Sequence, residues 1–304
     1  PQISDRDLLS IVQGPDFPTG GIIQGRAGIA QAQLTGRGSI KVRARAEIEE
    51  DAKGREAIVV TEIPYQVNKA SMLEKTADLV QKRKLDEIRD LRDESSRDGM
   101  RIVIELKRGE DAAKVLDKLY RSTDLRQNFN MNLVALVDGA PRTLGLLDCL
   151  HHYLDHQRTV LTRRTEHRLR KARDRAHVLE GLLTALDHLD EVIALIRGSS
   201  SADDAKTGLM ARFELSERQA QAVLDMQLRR LAALERARLE DEYQQLQGVI
   251  VELEGILADP GVLDGLLVDE LAELKRLHAT PRRSRIVAAG ISAEDVLAGG
   301  SAAG

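Results

Sequence analysis

From Leu144 to Arg197 the chain holds no proline, and its internal glycines are Gly145 and Gly181. Along this stretch Leu169, Ala172, Ala176, Leu179, Leu183 and Leu186 step three and four residues at a time, which is an a/d seam. At about 1.5 Å per residue such a helix is roughly 80 Å long. A rod of that length cannot fold back onto a globule and needs a partner rod. Leu239, Tyr243, Leu246, Ile250, Leu253 and Leu257 supply the second seam. Between the two lie the turn Gly198-Ser199-Ser200-Ser201 and a helical insert, Ala202 to Leu234. The expectation is an antiparallel coiled coil with a small helical head: first helix 144–201, head 202–235, return helix 236–289 and a flexible tail 290–304. A final helix from Val262 to His278 follows Asp259-Pro260 within the return segment.

Inside the head, Ser216 and Gln219 have the spacing of a capping box that starts a helix over Glu217 to Leu234. That helix carries Val223, Leu224, Leu228, Leu231 and Leu234, with Met226 between them. A head of this size cannot bury the whole face alone, so self-association into a symmetric dimer is expected.

Residues 1–143 read as mixed α/β, making the whole an α+β, helix-rich chain. Gly14 to Gly21, GPDFPTGG, is a rigid loop. Ile40 to Ile48 alternates strictly and predicts one half-buried strand with Lys41, Arg43 and Arg45 on its outer face. A hairpin through Asp51-Ala52-Lys53-Gly54 leads to a strand over Ala57 to Ile63. Asn68 is placed to cap a helix reaching Arg83. Strands over Ile88–Arg92 and Met100–Leu106, a helix over Asp111–Tyr120 and a strand around Leu133–Val137 complete the module.

The net charge of −4 hides an asymmetry. No acidic residue occurs from Phe17 to Ala46, where Arg26, Arg37, Lys41, Arg43 and Arg45 stand. A basic island on an acidic protein points to nucleic-acid phosphate. Aromatics are only 2% of the chain, which argues against a stacking platform for single strands. A second basic run, Arg158 to Arg175, reads as a solvated rod face, with a second phosphate-facing surface as the alternative.

Catalytic constellations are not evident. There is no phosphate-binding GxxxxGK[ST] loop, so Gly25, Gly28, Gly36 and Gly38 read as turn residues. The lone Cys149 excludes an internal disulfide and a cysteine zinc cluster, and fits a reducing, cytoplasmic setting. His152 and His156 are the best metal candidates, yet read better as part of a solvated helix, and Asp93, Glu94 and Asp98 read as loop charges. Tyr65, Tyr120, Tyr153 and Tyr243 read as packing residues. No apolar run approaches the ~20 residues that span a bilayer. The chain opens on Pro1, in mid-pattern, and reads as a piece of a longer protein.

The ordered segments GPDFPTGG, IIQGRAGI (Ile22–Ile29), TGRGSIKVRARAE (Thr35–Glu47), EIPYQVNKA (Glu62–Ala70), LRDESSRDGMRIVIE (Leu91–Glu105), RKARDRAHVLE (Arg170–Glu180) and QAQAVLDMQLRRL (Gln219–Leu231) resemble the A subunits of bacterial DNA gyrase, and the topoisomerase IV A subunit shares most of them. The resemblance implies a tower domain over 1–143, a coiled-coil arm and an exit-gate head. It implies that the chain binds double-stranded DNA, homodimerises through Val223, Leu224, Leu228, Leu231 and Leu234, and joins a B subunit in an A2B2 assembly. Mg²⁺ and ATP are expected on that B subunit, with no cofactor, metal or catalytic residue in this chain. The family's winged-helix domain, with its arginine–tyrosine cleavage pair, and its DNA-wrapping domain are not matched. By resemblance Ile29 is the isoleucine that wedges between base pairs and bends DNA, with Arg26, Arg37, Lys41, Arg43 and Arg45 holding phosphates. The competing readings are a structural coiled-coil dimeriser with no DNA role and, more remotely, an unrelated α/β enzyme.

Overall fold

The structure, a computed structural model, describes residues 3–50, 54–226 and 233–290. The chain divides into two compact units, Pro1–Tyr153 with Thr280–Gly304, and Leu154–Ala279. The described residues 280–290 therefore belong with the first unit, although the expected bounds 236–289 group most of them with the return helix.

The first unit opens with α1 (Asp5–Ile11), β1 (Ile22–Gln24) and α2 (Ala27–Thr35). Next come β2 (Arg37–Arg43), β3 (Arg45–Glu50), β4 (Glu56–Glu62) and α3 (Lys69–Gln81). Then follow β5 (Ile88–Asp93), β6 (Ile102–Leu106), α4 (Ala112–Ser122), β7 (Arg126–Asn132), β8 (Val134–Val137) and β9 (Ala140–Thr143). The tenth strand, β10 (Arg285–Val287), returns to pair parallel with β1. One four-stranded sheet has the order β10-β1-β2-β7, a second has the order β3-β4-β6-β5, and β8 pairs with β9 alone. Asn68 caps α3 by accepting from the Ser71 N–H, and Asp111 caps α4 by accepting from Ala113 and Lys114.

The strand expected from Ile40 to Ile48 is two strands in different sheets. The alternation fails at Val42-Arg43-Ala44, three consecutive buried residues, and the chain changes sheet there. The Ala44 N–H donates to the Leu125 carbonyl at 2.7 Å, and the Ala44 carbonyl accepts from the Tyr120 hydroxyl at 2.8 Å. Both backbone groups of this buried junction are thus satisfied off-ladder.

Helix α2 was not expected, because its glycines read as turns. Gly28 and Gly38 instead let α2 lie directly on β2. A Cβ at Gly28 would stand 1.9 Å from the Ser39 carbonyl oxygen, and one at Gly38 2.4 Å from that of Gly28. Only hydrogen fits between these backbones. This seating presses Ile29 into an apolar cluster with Phe17, Ile23, Ile40 and Val42, flanked by Tyr65 and Phe129. The second cluster fills the space between the other sheet and α3 and α4.

The second unit is helical. Helix α5 (Leu146–Asp187) enters it from the first unit, followed by α6 (Leu189–Gly198), α7 (Ala202–Phe213), α8 (Glu217–Leu224), α9 (Ala233–Ala258) and α10 (Pro260–His278). The expected single helix to Arg197 is broken at His188, whose φ of −115° and ψ of 35° are not helical. The 42 residues of α5 reach roughly 63 Å, shorter than the sequence period implied.

Leu169, Ala172 and Ala176 of α5 cluster with Ile250 and Leu253 of α9. Ion pairs Arg173–Glu254, Arg175–Glu242 and Arg236–Asp187 show the two helices running in opposite directions. Further along α5 the buried residues are Leu179, Leu182, Ala185 and Leu186, so the packed face drifts from the expected Leu183. A straight helix turns every 3.6 residues and drifts off a 3.5 repeat.

The capping box is present in full: Ser216 Oγ accepts from the Gln219 N–H, and Gln219 Oε1 accepts from the Ser216 N–H. The helix itself ends at Leu224, with Asp225 as its C-cap, and does not run on unbroken to the expected Leu234. Val223 is buried and Leu224 half-buried in the unit's own cluster with Leu179, Leu182 and Leu239. Leu228 and Leu231, and the side chain of Leu234, lie outside the described residues, as does the tail 291–304.

Candidate nucleic-acid interface

Strands β2 and β7 pair antiparallel with Arg37 opposite Asn132, Ser39 opposite Asn130, Lys41 opposite Asn128 and Arg43 opposite Arg126. Directly opposed residues share a face of the sheet. On this face Arg37, Ser39, Lys41, Arg126, Asn128, Asn130 and Asn132 are exposed, and no carboxylate stands among them. The reverse face carries Ile40, Val42, Phe129 and Met131 and builds the Ile29 cluster.

Beside this face the chain turns through Gly25 (φ 78°) into α2, with Arg26 as its first cap residue. Arg26, Lys41 and Arg126 line one concavity together with Gln24, Gly28 and Ser39. Ala27 and Gly28, the first residues of α2, line the same concavity, so the positive end of a helix stands beside three cations. Arg26, Arg37, Lys41 and Arg126 have no ion-pair or side-chain hydrogen-bond partner among the described residues.

Two of the expected contacts are corrected. Ile29 is only 2% exposed, held under α2 against Gly14 and Ile286, so it is a packing residue and not a wedge presented to DNA. Arg43 is also 2% exposed, its guanidinium lying 5.2 Å from the centre of the Tyr120 ring. Burial pushes the Arg43 guanidinium below its ordinary value, and pushes the Tyr120 hydroxyl up to about 12. Arg43 therefore keeps its register place opposite Arg126, but its guanidinium is covered beside Tyr120 and helps build the junction between the sheets.

Arg45, already on the second sheet, is spent on Glu47 and Glu62 at 3.4 and 3.6 Å. What the sequence reading missed is β7. Its R-Q-N-F-N-M-N pattern alternates polar and apolar residues as plainly as β2 does, and it adds Arg126 and three asparagines to the face.

The second basic run is laced to neighbouring helices. Arg158 donates to Asp264 at 2.6 Å, Arg164 pairs with Glu270, and Arg173 and Arg175 pair with α9 carboxylates. Asp93 is tied to Lys69 at 2.7 Å, and the hydrogen bond from Lys69 holds its carboxyl down to about 2. Among the described residues, no three His, Cys, Asp or Glu side chains converge as a metal centre, and no helix is long and apolar enough to cross a membrane.

The family model for the A subunit of DNA gyrase/topoisomerase IV matches residues 1–272. The chain belongs to that family. It is 53% identical over 292 residues to the DNA gyrase A subunit of Staphylococcus epidermidis strain ATCC 12228, covering 96% of this chain and 33% of the relative. It is 53% identical over 287 residues to the DNA gyrase A subunit of Staphylococcus aureus strain MRSA252, covering 94% and 32%. The chain thus spans about a third of the length of the curated relatives it matches. GPDFPTGG precedes β1, and TGRGSIKVRARAE runs from the end of α2 through β2 into β3, both in the first unit.

Proposed function

We propose that this chain is the portion of a type II DNA topoisomerase A subunit that seats duplex DNA on the β2–β7 face, and that the holoenzyme is DNA gyrase. The observation carrying this reading is the acid-free face itself. Arg26, Arg37, Lys41 and Arg126 stand exposed without partners among the described residues, in a protein of net charge −4. Unpaired cations on an otherwise acidic protein suit a polyanion, since each contact releases condensed counterions from the duplex. The family to which the chain belongs and the gyrase names of the relatives support the same partner.

In this reading α5 and α9 are the two strands of a coiled-coil arm, and the head forms a homodimeric gate through Leu224 together with Leu228, Leu231 and Leu234. Val223 is dropped from that surface, because it is buried in its own unit. A gyrase B partner, in an A2B2 assembly, carries ATP and Mg²⁺. Strand cleavage is assigned to no residue of this chain, which acts in the cytoplasm as part of the whole enzyme. The wedge role is withdrawn with Ile29, and the duplex is held by backbone contacts alone.

The test is a salt titration of duplex binding by the chain. Lys41→Ala flattens the slope of log affinity against log salt by about 0.9, the value for one phosphate contact on B-form DNA. A variant with the wild-type slope removes Lys41 from the interface. No duplex binding at low salt by the wild-type chain would favour the structural coiled-coil reading.

A further inference from the structure

The β2–β7 face has two rows of different chemistry. The β2 row is Arg37, Ser39 and Lys41; the β7 row, at the open edge of the sheet, is Asn128, Asn130 and Asn132. The three asparagines alternate with the half-buried Gln127, Phe129 and Met131, so all three amides point outward. None of them makes a side-chain hydrogen bond with the described residues. Asparagine is among the poorer strand formers, and an exposed edge strand is ordinarily filled with Thr, Lys or Val. Three of them on one face of a seven-residue strand work against strand stability and return nothing within the described protein.

We propose that Asn128, Asn130 and Asn132 form a charge-free hydrogen-bonding row that grips phosphate oxygens of the duplex seated by the neighbouring cations, giving DNA affinity a component that salt does not remove. This rests on the DNA reading of the face. Each amide NH₂ has two donors and suits a phosphate oxygen, and neutral side chains are regular partners of the DNA backbone. Alternate residues of an antiparallel strand are about 6.8 Å apart, so the three amides present donors at regular steps along the edge of the sheet. The β2 row opposite each amide supplies Lys41, Ser39 and Arg37 in turn, so charged and neutral contacts alternate across the same stretch.

The two rows respond differently to salt. A cation contact releases counterions and steepens the salt slope; an amide contact releases none. A net neutral hydrogen bond is worth roughly fivefold in affinity, so three together give between tenfold and about a hundredfold.

The experiment measures binding of this chain to a labelled duplex of about 30 base pairs across a salt series. The triple variant Asn128→Ala, Asn130→Ala, Asn132→Ala binds tenfold or more weakly at every salt concentration, on a line parallel to the wild type. Asn130→Val alone, a change toward a better strand former, loses about fivefold with an unchanged or higher melting temperature. A triple variant with wild-type affinity, or one whose slope is flattened, overturns the proposal. Lys41→Ala in the same series separates the two failures. If it flattens the slope while the asparagine variants bind normally, the amide row alone is wrong. If it too changes nothing, the DNA reading of the face falls and takes the row with it.

Discussion

The two four-stranded sheets of the first unit are joined by one continuous segment, β2 into β3, yet they treat their surface charges in opposite ways. On the second sheet the charges are spent on one another. Arg101 makes two hydrogen bonds to Glu49, at 2.8 and 2.7 Å, and a third to Glu94. Arg92 reaches Asp90 at 2.7 Å and Glu105 at 2.8 Å. These bonds raise both guanidinium groups above their ordinary value and lower Glu49. On the first sheet, Arg37, Lys41 and Arg126 face outward with no such partners among the described residues. Exposed ion pairs contribute little stability, so the difference is poorly explained by folding needs. A paired surface is already neutralised, whereas an unpaired one keeps its charge available for a ligand.

Three changes sharpen or break this contrast. The largest effect belongs to Ile29→Ala, which removes a buried side chain from under the first sheet. It lowers unfolding free energy by about 3 kcal/mol in denaturant titrations and leaves the salt slope of duplex binding unaltered. A near-neutral stability change would contradict the packing of Ile29 beneath α2.

Tyr120→Phe comes next. It deletes the donor to the Ala44 carbonyl at the junction of the two sheets, where both residues are buried, and costs about 1 kcal/mol. A cost indistinguishable from zero would show that the junction does not depend on this hydroxyl.

The smallest effect is acidic. Asp93 ionises at about 2 in the folded chain against an ordinary 3.8, so between these values the unfolded chain binds the proton first. The Lys69–Asp93 contribution is complete above about pH 4 and is lost as pH falls to about 2. Solvent screening keeps it below about 1 kcal/mol. Asp93→Asn removes this part of the acid sensitivity in pH-dependent melts; an unchanged acid profile means the pair contributes nothing.

Much of this architecture was legible where periodicity is long or a cap is local. The Ser216–Gln219 box and the Asn68 and Asp111 caps involve neighbours within a few residues, and sequence spacing reports such contacts directly. Of the expected α5 and α9 seam residues, Leu169, Ala172, Ala176, Ile250 and Leu253 do share one cluster, while Leu182 and Ala185 replace Leu183 on the buried face. Less visible was anything set by the close approach of distant backbones. Gly28 and Gly38 look like loop glycines until α2 is laid across β2. Arg43 sits in phase with Lys41, and only its cover beside the distant Tyr120 ring takes it out of solvent. The site was half visible. The acid-free stretch points to β2 of the proposed face, whereas the asparagines of β7 carry no charge and leave no such mark on the sequence.

The most direct test of the central claim compares the two sheets in one assay, the salt dependence of duplex binding. Arg37→Ala with Lys41→Ala is measured beside Arg92→Ala with Arg101→Ala, each pair removing two positive charges from one sheet. The account predicts that the first pair flattens the slope by about two units, one phosphate contact each, and that the second pair leaves the slope at its wild-type value. Equal slopes for the two pairs, or an unchanged slope for the first, would contradict it.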